Sequence, residues 1–310
     1  MSTLSAHSRT RIEPEISRAD RFSRVVNGDT FVAYTFLVIP IFILFFIKIY
    51  PVFYNFLLSF TNYDLFSPLK FVGIDNYRDV MLQEVNRKAI RNTLYFTILA
   101  VPLGTMLALV IAALLNQPIR GRITFRALYY MPVVTSVVVS AMIWRWIFNP
   151  QFGLLNYFLS LVGIPEQTWL SNPSLALPSL VIITIWGSIG GNMIIFLAAL
   201  QDIPEELREA AGIDGAKGWQ TFLYVVIPLL RPVILFVVVT FSIGIFRSFG
   251  LIFLLTQGGP QLTTNTLVWE VYQNAFGYLR LGRAGALAMV LLAIIFVITF
   301  LNFRLLQERD

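Results

Sequence analysis

Six long apolar runs constrain the fold of this chain more than any other feature. Each is about 20 residues long, the length of helix that crosses roughly 30 Å of hydrocarbon. With 57% hydrophobic and only 13% charged residues, the chain differs from soluble domains, where about 25% of residues are charged. The sequence therefore predicts an all-α, multi-pass membrane protein with six transmembrane helices. They run approximately from Phe31 to Tyr50, Ile90 to Leu115, Ala127 to Phe148, Leu175 to Leu200, Leu229 to Leu255 and Ala286 to Arg304.

Groups that perform catalysis are scarce. The chain has no Cys and a single His, His7, so the usual ligands and bases of zinc, thiol and Ser-His-Asp chemistry are missing. It also lacks a G-x-x-x-x-G-K-[ST] phosphate-binding loop, so a nucleotide-driven step would need another polypeptide. We therefore expect no enzyme activity, no catalytic residue, no metal and no cofactor bound by this chain.

The basic residues predict how the chain is oriented. A formal net charge of +6 could suggest a nucleic-acid partner, but the Lys and Arg residues flank the apolar runs, as in oriented membrane proteins. The N-terminal tail and the second connection are rich in Arg, whereas the third connection, Asn149 to Ser174, has neither Lys nor Arg. Lys70, Arg78, Arg87 and Lys88 dilute this pattern in the first external segment. We expect both termini and the fourth connection in the cytoplasm. The Arg residues concerned are Arg9, Arg11, Arg18, Arg21, Arg24, Arg120, Arg122, Arg126, Arg304 and Arg309.

The fourth connection reads EELREAAGIDGAKGWQTFLYVVIPLL from Glu205 to Leu230. Its charges are too costly for mid-bilayer, at about 2.5–3.5 kcal/mol for Asp, Lys or Arg. Asp202 as N-cap, Pro204 early in the helix and acids in the first turn predict a short helix. It should end near Gly212 to Gly215, since glycine supplies the left-handed C-terminal cap. One interpretation is a solvated loop; we favour a docking helix whose exposed side holds Leu207, Ala210, Ala211 and Asp214.

This connection resembles the EAA loop of ABC importer permeases. Glu209-Ala210-Ala211, three residues, Gly215, nine residues to Val225 and then Ile227-Pro228 follow that loop's pattern, with Val for Ile and Ile for Leu. The segments YPVFYNFLLSFTNYDLFSPLKFVGIDNY, RNTLYFT, FRALYYMPVV and LLTQGGPQLTTNTL are similar to other parts of carbohydrate-type permeases. The resemblance covers nearly the whole chain.

The resemblance implies a type I ABC importer permease fold and a set of partners. These are a second permease subunit, more readily a paralogue than a copy, a dimer of ATP-binding subunits that carry ATP and Mg, an external solute-binding protein and a sugar. It implies a multi-pass protein of a bacterial or archaeal plasma (inner) membrane. Residues 1–30 would form a polar cytoplasmic tail and 31–310 the permease domain, with the core at about 90–305 and the EAA loop at about 201–228. The residues it assigns to ATPase coupling are Glu209, Ala210, Ala211, Gly212, Asp214, Gly215 and Pro228.

Polar side chains within the apolar runs are candidates for the solute pathway, because they usually face a bundle interior or a wet cavity. In the fifth run, Thr240, Gly244, Arg247 and Ser248 would form one stripe on a helix; a snorkelling or structural Arg247 is an equal alternative. In the fourth run, Asn192 could bond a sugar hydroxyl and Trp186 could stack on a sugar ring. Close helix packing is the better interpretation of Gly187, Gly190 and Gly191.

The function that we expect is the permease subunit of a binding-protein-dependent ABC importer for a carbohydrate. Alternatives are a permease for another small polar solute such as a sugar phosphate, an ion-coupled secondary transporter, a membrane-embedded enzyme and a scaffold for an ATPase. Secondary transporters usually carry buried acids, and the six runs contain neither Asp nor Glu.

Overall fold

The computed structural model describes residues 28–306 and is helical over most of that range, without a strand in it. This confirms the predicted all-α class for the described residues; an isolated bridge between Thr61 and Phe71 is their one β feature. Most of the predicted N-terminal tail, up to residue 27, and the terminal Arg309 lie outside the described residues. The described residues divide into two compact units, one up to Asn55 and the other from Phe56 onward.

The helices include single turns of π-helix at 45–49, 222–226 and 273–277. In chain order the α-helices are α1 (Gly28–Leu44), α2 (Tyr50–Leu58), α3 (Asp75–Leu82), α4 (Glu84–Asn116), α5 (Arg122–Val134), α6 (Val137–Ile147), α7 (Leu154–Leu161), α8 (Ala176–Gln201), α9 (Glu205–Ile213), α10 (Gly218–Thr221), α11 (Ile227–Leu229), α12 (Arg231–Phe246), α13 (Gly250–Leu255), α14 (Leu267–Tyr272) and α15 (Leu281–Leu306).

Four of the six predicted runs are single helical segments long and apolar enough to cross a membrane. They are Tyr34–Leu58, which runs through α1, a π turn and α2, and the helices α4, α8 and α15. Their lengths follow from uninterrupted apolar sequence, since neither Pro40 in α1 nor Pro102 in α4 ends its helix. By length and composition, residues 28–306 therefore contain four candidate membrane spans that are single helical segments.

The third and fifth predicted runs are each interrupted in the structure. Helices α5 and α6 meet at an angle of 104°. Pro132 stands in the last turn of α5, and the Ser136 hydroxyl accepts a hydrogen bond from the Val139 N–H (3.3 Å), so a new helix starts there. The segment Gly218–Leu229 meets α12 at 68°, and α12 ends at Phe246, before α13 begins. Counting each bent pair as one span gives up to six.

The core of the larger unit lies where α4, α8 and α12 pack together. Small residues on α4, such as Ala100, Ala108 and Ala112, are fully buried and let the neighbouring helices approach closely. One apolar cluster holds Phe96, Leu180 and Phe241, and another, nearer the fourth connection, holds Phe196 and Leu230. These contacts fix α8, which carries residues of both candidate sites.

Candidate coupling helix and translocation cavity

The predicted short helix of the fourth connection is present as α9, Glu205–Ile213. Pro204 precedes its first residue, and Glu205 and Glu206 lie in the first turn, where carboxylates suit the positive end of the helix dipole. Asp202 is not its N-cap, which corrects that prediction. The Asp202 N–H instead bonds the Ala198 carbonyl at the end of α8 (3.2 Å), because Pro204 moves the start of α9 further along the chain.

The C-terminus of α9 is closed by Gly215. Its φ of +80° is a left-handed conformation that glycine adopts at little cost. The Ala216 N–H bonds the Ala211 carbonyl (2.9 Å) and the Gly215 N–H bonds the Gly212 carbonyl (3.0 Å), the two hydrogen bonds of a Schellman motif. The helix therefore ends in a fixed geometry, near the glycines where the sequence predicted it.

The two faces of α9 differ. The face with Glu205, Arg208 and Gly212 lines an open recess of about 870 Å³, which also contacts the end of α4 and Trp219. The opposite face carries Leu207, Ala210 and Asp214, all exposed, and half-buried Ala211 lies at its edge. Glu209 is exposed between the two faces. The four residues predicted to share one side of α9 therefore form a narrow surface with small side chains at its centre, which a partner is able to contact.

Arg208 connects α9 to the transmembrane part. Its Nη2 donates a hydrogen bond to the Leu200 carbonyl at the end of α8 (3.1 Å), and its Nη1 lies 3.9 Å from the Glu205 carboxylate. Its Nε is buried and has no partner in the described residues. Sequence reasoning missed this residue as a site residue; its spacing of three from Glu205 and four from Gly212, on one helix face, is the signal that could have found it.

The hairpin then returns to the membrane through α10 and α11. The Lys217 N–H bonds the Gln220 side chain (2.7 Å) at the start of α10, and Lys217 itself is exposed. Half-buried Pro228 lies in the first turn of α11, where its missing N–H costs nothing. The proline thus stands just before the bend into α12.

A cavity of about 310 Å³ lies where the two broken spans meet α8. The break between α5 and α6 contributes Thr135, and the end of α12 with the following turn contributes Gly244 and Ser248. Trp186 from α8 completes this set, and its indole packs edge-on to Trp144 with ring centroids 5.7 Å apart. Three predicted pathway residues, Trp186, Gly244 and Ser248, therefore line one cavity.

Sequence reasoning missed four hydroxyl residues that line this cavity, Thr135, Ser140, Thr184 and Ser188. The Thr184 Oγ1 is buried and has no hydrogen-bond partner in the described residues. The residues that line the cavity include no Asp, Glu, Lys or Arg. The lining thus combines an indole and neutral hydroxyl groups with aliphatic and aromatic side chains such as Val133, Ile183 and Phe241.

The other three predicted pathway residues do not line this cavity. Because α12 ends at Phe246, Arg247 and Ser248 do not continue a helical stripe, and Arg247 is an exposed residue in the turn before α13. The exposed Thr240 hydroxyl donates to the Phe236 carbonyl of its own helix (2.7 Å). Asn192 is half-buried, and its Nδ2 has no partner in the described residues. Their roles in the pathway stay predictions.

The glycines of α8 separate into two kinds. A Cβ on Gly190 would lie 2.2 Å from the Tyr129 carbonyl oxygen of α5, so this glycine allows close helix packing, as the sequence indicated. Gly187 has open space around it and lines the cavity, and Gly191 would only touch Val133 at 4.0 Å. Only Gly190 is required by a close approach of backbones.

One buried acid was missed by the sequence analysis because it follows the fifth apolar run. Glu270 in α14 is 7% exposed. Its carboxylate accepts hydrogen bonds from the Asn265 Nδ2 (2.7 Å) and the Asn274 Nδ2 (3.1 Å). Both oxygens are thus engaged by neutral amides, which is typical of a structural polar network.

The chain has relatives among known proteins. A model of the family described as "Binding-protein-dependent transport system inner membrane component" matches residues 100–309. The chain is 35% identical over 289 residues to the probable ABC transporter permease protein YesP of Bacillus subtilis (strain 168), covering 91% of this chain and 92% of that protein. It is 35% identical over 240 residues to the sn-glycerol-3-phosphate transport system permease protein UgpA of Agrobacterium fabrum, covering 77% and 82%. Among solved structures, a chain of a bacterial alginate ABC transporter in complex with an alginate pentasaccharide-bound periplasmic protein matches with a TM-score of 0.80 at 23% identity, over 92% of this chain and 96% of that chain.

Proposed function

Because the chain belongs to the family of binding-protein-dependent transport system inner membrane components, the non-catalytic permease subunits of ABC transporters, we propose that it forms part of a carbohydrate pathway. In this proposal it pairs with a second permease subunit, a paralogue, and receives solute from an external binding protein. A dimer of ATP-binding subunits, which hold ATP and Mg, binds α9. The observation that carries the coupling role is the exposed face of α9, with Ala210 at its centre and the Schellman closure at Gly215.

The proposed mechanism transmits movement from α9 to α8. When the ATPases close, α9 moves with them, because a helix seated in a groove has different contact free energies in the two states. The hydrogen bond from Arg208 to the Leu200 carbonyl passes that movement to the end of α8. Trp186 lies on the same helix, about 21 Å away at 1.5 Å per residue. A tilt of α8 would therefore change the cavity that Trp186 lines.

A neutral carbohydrate suits the chemistry of this cavity. An indole face packs against the C–H groups of a sugar ring, and the hydroxyls of Thr184, Ser188 and Ser248 are able to exchange hydrogen bonds with sugar hydroxyls. The cavity has no charged lining residue, which favours an uncharged solute. A sugar phosphate is the second candidate, because the relative from Agrobacterium fabrum is named for sn-glycerol-3-phosphate and Arg247 is exposed beside the cavity residue Ser248.

The proposed topology has six spans, with both termini, α9 and α10 in the cytoplasm of a bacterium or archaeon. The up to six candidate spans and the Arg-rich connection before α5 support it. Lys217 tests it, since its side chain is exposed on the hairpin. A membrane-impermeant amine reagent should label Lys217 only after the cells are opened, and labelling from outside intact cells would reject this orientation.

Reconstitution tests the function. The full importer, with both permeases, the ATPases and the binding protein in vesicles, should take up sugar only when ATP and the binding protein are both present. Uptake driven by a proton or sodium gradient without ATP would support a secondary transporter instead. Absence of uptake with all partners present would support a scaffold. A phosphorylated sugar should compete only if the second candidate solute is correct.

A further inference from the structure

We propose that α7 is an interfacial helix that lies on the lipid surface with its apolar face in the headgroup region. The third connection, Asn149 to Ser174, has no Lys or Arg, which is typical of an exported loop. In the structure it contains α7, Leu154–Leu161, a mostly apolar helix that turns Leu155 and Asn156 inward and leaves other apolar side chains exposed. Leu154, Tyr157, Phe158 and Leu161, spaced at i, i+3, i+4 and i+7, are 40–65% exposed.

The inward side of α7 is held by a polar residue. Asn156 is 4% exposed, and its side chain makes four hydrogen bonds. Its Nδ2 donates to the Pro150 and Gln167 carbonyls, both at 2.9 Å, and its Oδ1 accepts from the Gln167 N–H (3.1 Å) and the Trp169 Nε1 (2.9 Å). An Asn amide has two donors and two acceptor sites, so this one is satisfied. Because the four hydrogen bonds of Asn156 hold this side of α7 against the protein, the apolar face on the opposite side stays exposed.

The C-terminus of α7 adds to the same apolar surface. Gly163 has a φ of +74°, and the bonds from the Gly163 N–H to Ser160 and from the Ile164 N–H to Leu159 (3.1 and 3.0 Å) close the helix as a Schellman motif. Val162 and Ile164, on either side of the glycine, are 70% and 45% exposed. A defined helix end thus presents further aliphatic side chains to the surroundings.

The continuity of this surface with α6 identifies its occupant as lipid. On α6, Val138, Met142 and Trp146 form an exposed stripe, whereas the cavity residues Val137 and Ser140 lie on the other face. The stripe therefore faces away from the proposed pathway. Trp146, at its end, lines a recess of about 400 Å³ together with Leu154 and Tyr157 of α7 and with the polar residues Gln151, Ser160 and Glu166. The apolar stripe of α6 therefore ends beside α7, at a recess where apolar and polar side chains meet, as they do at the level of lipid headgroups.

The residue types fit the headgroup region. Trp and Tyr are enriched at that level, because one end of each ring is apolar and the other is wet. An amphipathic helix in this position buries its apolar face by about 5–10 Å into the boundary of headgroups and acyl chains. Residues 149–174 contain Glu166 as their only charged residue. The contact therefore depends on the hydrophobic effect and not on attraction to anionic lipid.

Spin labelling tests this proposal directly, because the chain has no native Cys. Phe158→Cys and Leu161→Cys each receive a nitroxide label in the full importer, reconstituted in phosphatidylethanolamine and phosphatidylglycerol vesicles. A label at exposed Met142 on α6 serves as the hydrocarbon reference, and one at exposed Lys70, in the first external segment, as the aqueous reference. The ratio of collision rates with oxygen and with a water-soluble nickel chelate reports the depth of each label.

We expect the labels on α7 to give ratios several-fold above that of Lys70 and closer to that of Met142. Replacement of phosphatidylglycerol by phosphatidylcholine should leave the ratios unchanged. A ratio equal to the Lys70 reference would overturn the proposal in favour of a water-exposed helix. Low collision rates with both reagents would overturn it in favour of a protein partner, such as the second permease. If the labelled importers still take up solute, their fold and the proposed function are intact, whichever depth is measured. The proposal rests on the proposed topology only for the question of which leaflet α7 contacts.

Discussion

Gly215→Leu is the substitution that tests the coupling helix most directly. Gly215 has a φ of +80°, and a Cβ at this position would meet nothing within 4 Å. The cost is therefore conformational and not steric, about 1–2 kcal/mol for an L-residue in the left-handed region. Domains are stable by about 5–15 kcal/mol, so the variant should still insert and fold. The cost is instead met locally, by opening the Schellman closure between Ala211 and Ala216.

That local change should weaken the grip of the ATPases on α9. If the docked state alone is destabilised by this 1–2 kcal/mol, the fraction of correctly docked complexes falls about 5- to 30-fold. The assay is solute uptake per ATP hydrolysed in vesicles that contain the full importer and its binding protein. Gly215→Leu should lower this ratio several-fold. Gly215→Asn should have a smaller effect, since Asn tolerates the left-handed region.

Gly212→Ala is the matched control on the same helix, because Gly212, although the family pattern assigns it to coupling, lies on the recess face of α9 and not on the exposed partner face. Gly212 lies within α9, and a Cβ there also meets nothing within 4 Å. Replacement of a helical glycine by alanine stabilises the helix by up to about 1 kcal/mol, so coupling should be retained. Wild-type uptake per ATP in a properly inserted Gly215→Leu variant would refute the assignment of α9 as the coupling helix. Equal losses in both variants would refute the role given to the left-handed turn.

Four further predictions concern residues of the larger unit. Arg208→Met removes the bond to the Leu200 carbonyl, so uptake per ATP should fall several-fold without loss of inserted protein, and Arg208→Lys should restore part of it. Gly190→Ala places a Cβ 2.2 Å from a backbone oxygen and should lower the thermal midpoint of the purified chain, whereas Gly187→Ala, in open space, should not. Glu270→Gln keeps one acceptor oxygen and replaces the other by an NH2 donor, so one of the two buried Asn amides loses its acceptor; this should cost about 1–3 kcal/mol in thermal unfolding, whereas exposed Glu166→Gln should leave it unchanged. Ser248→Cys should react with a water-soluble maleimide, and failure to react in a transporting importer would contradict a wet cavity.

Local patterns in the sequence were sufficient for the parts of the fold that depend on local interactions. Helices α4, α8 and α15 follow from unbroken apolar length, and α9 follows from acids in its first turn and glycine at its end. Their bounds depend mainly on residues within a few positions along the chain.

The helix breaks and the contacts between different helices could not be predicted from those patterns. The run from Ala127 to Phe148 is apolar over most of its length, so hydropathy does not register the 104° bend within it; Pro132 and the N-cap Ser136 are the local signals. The grouping of Trp186 with Gly244 and Ser248, and the bond from Arg208 to the end of α8, join residues of different elements. Such contacts arise from the packing of helices, which single-sequence periodicity does not specify.

The positions of the breaks strengthen the assignment of the cavity independently of its side chains. Where a helix stops within a membrane, backbone N–H and C=O groups lose their helical partners, and lipid offers none in return. Irregular backbone at membrane depth is tolerated only inside protein or beside water. The interruption between α5 and α6, at Thr135, and the one after α12, at Ser248, both line the same cavity, next to an unpaired Thr184 hydroxyl; the 68° bend before α12 does not line it. The N–H groups of Thr135 and Ser248 bond the Pro132 and Ile245 carbonyls (3.2 and 2.9 Å), so it is the convergence of two interrupted helices on one cavity, and not unpaired backbone, that favours water there. The reaction of the Ser248→Cys variant with a water-soluble maleimide therefore decides between a water-filled pathway and a purely structural void.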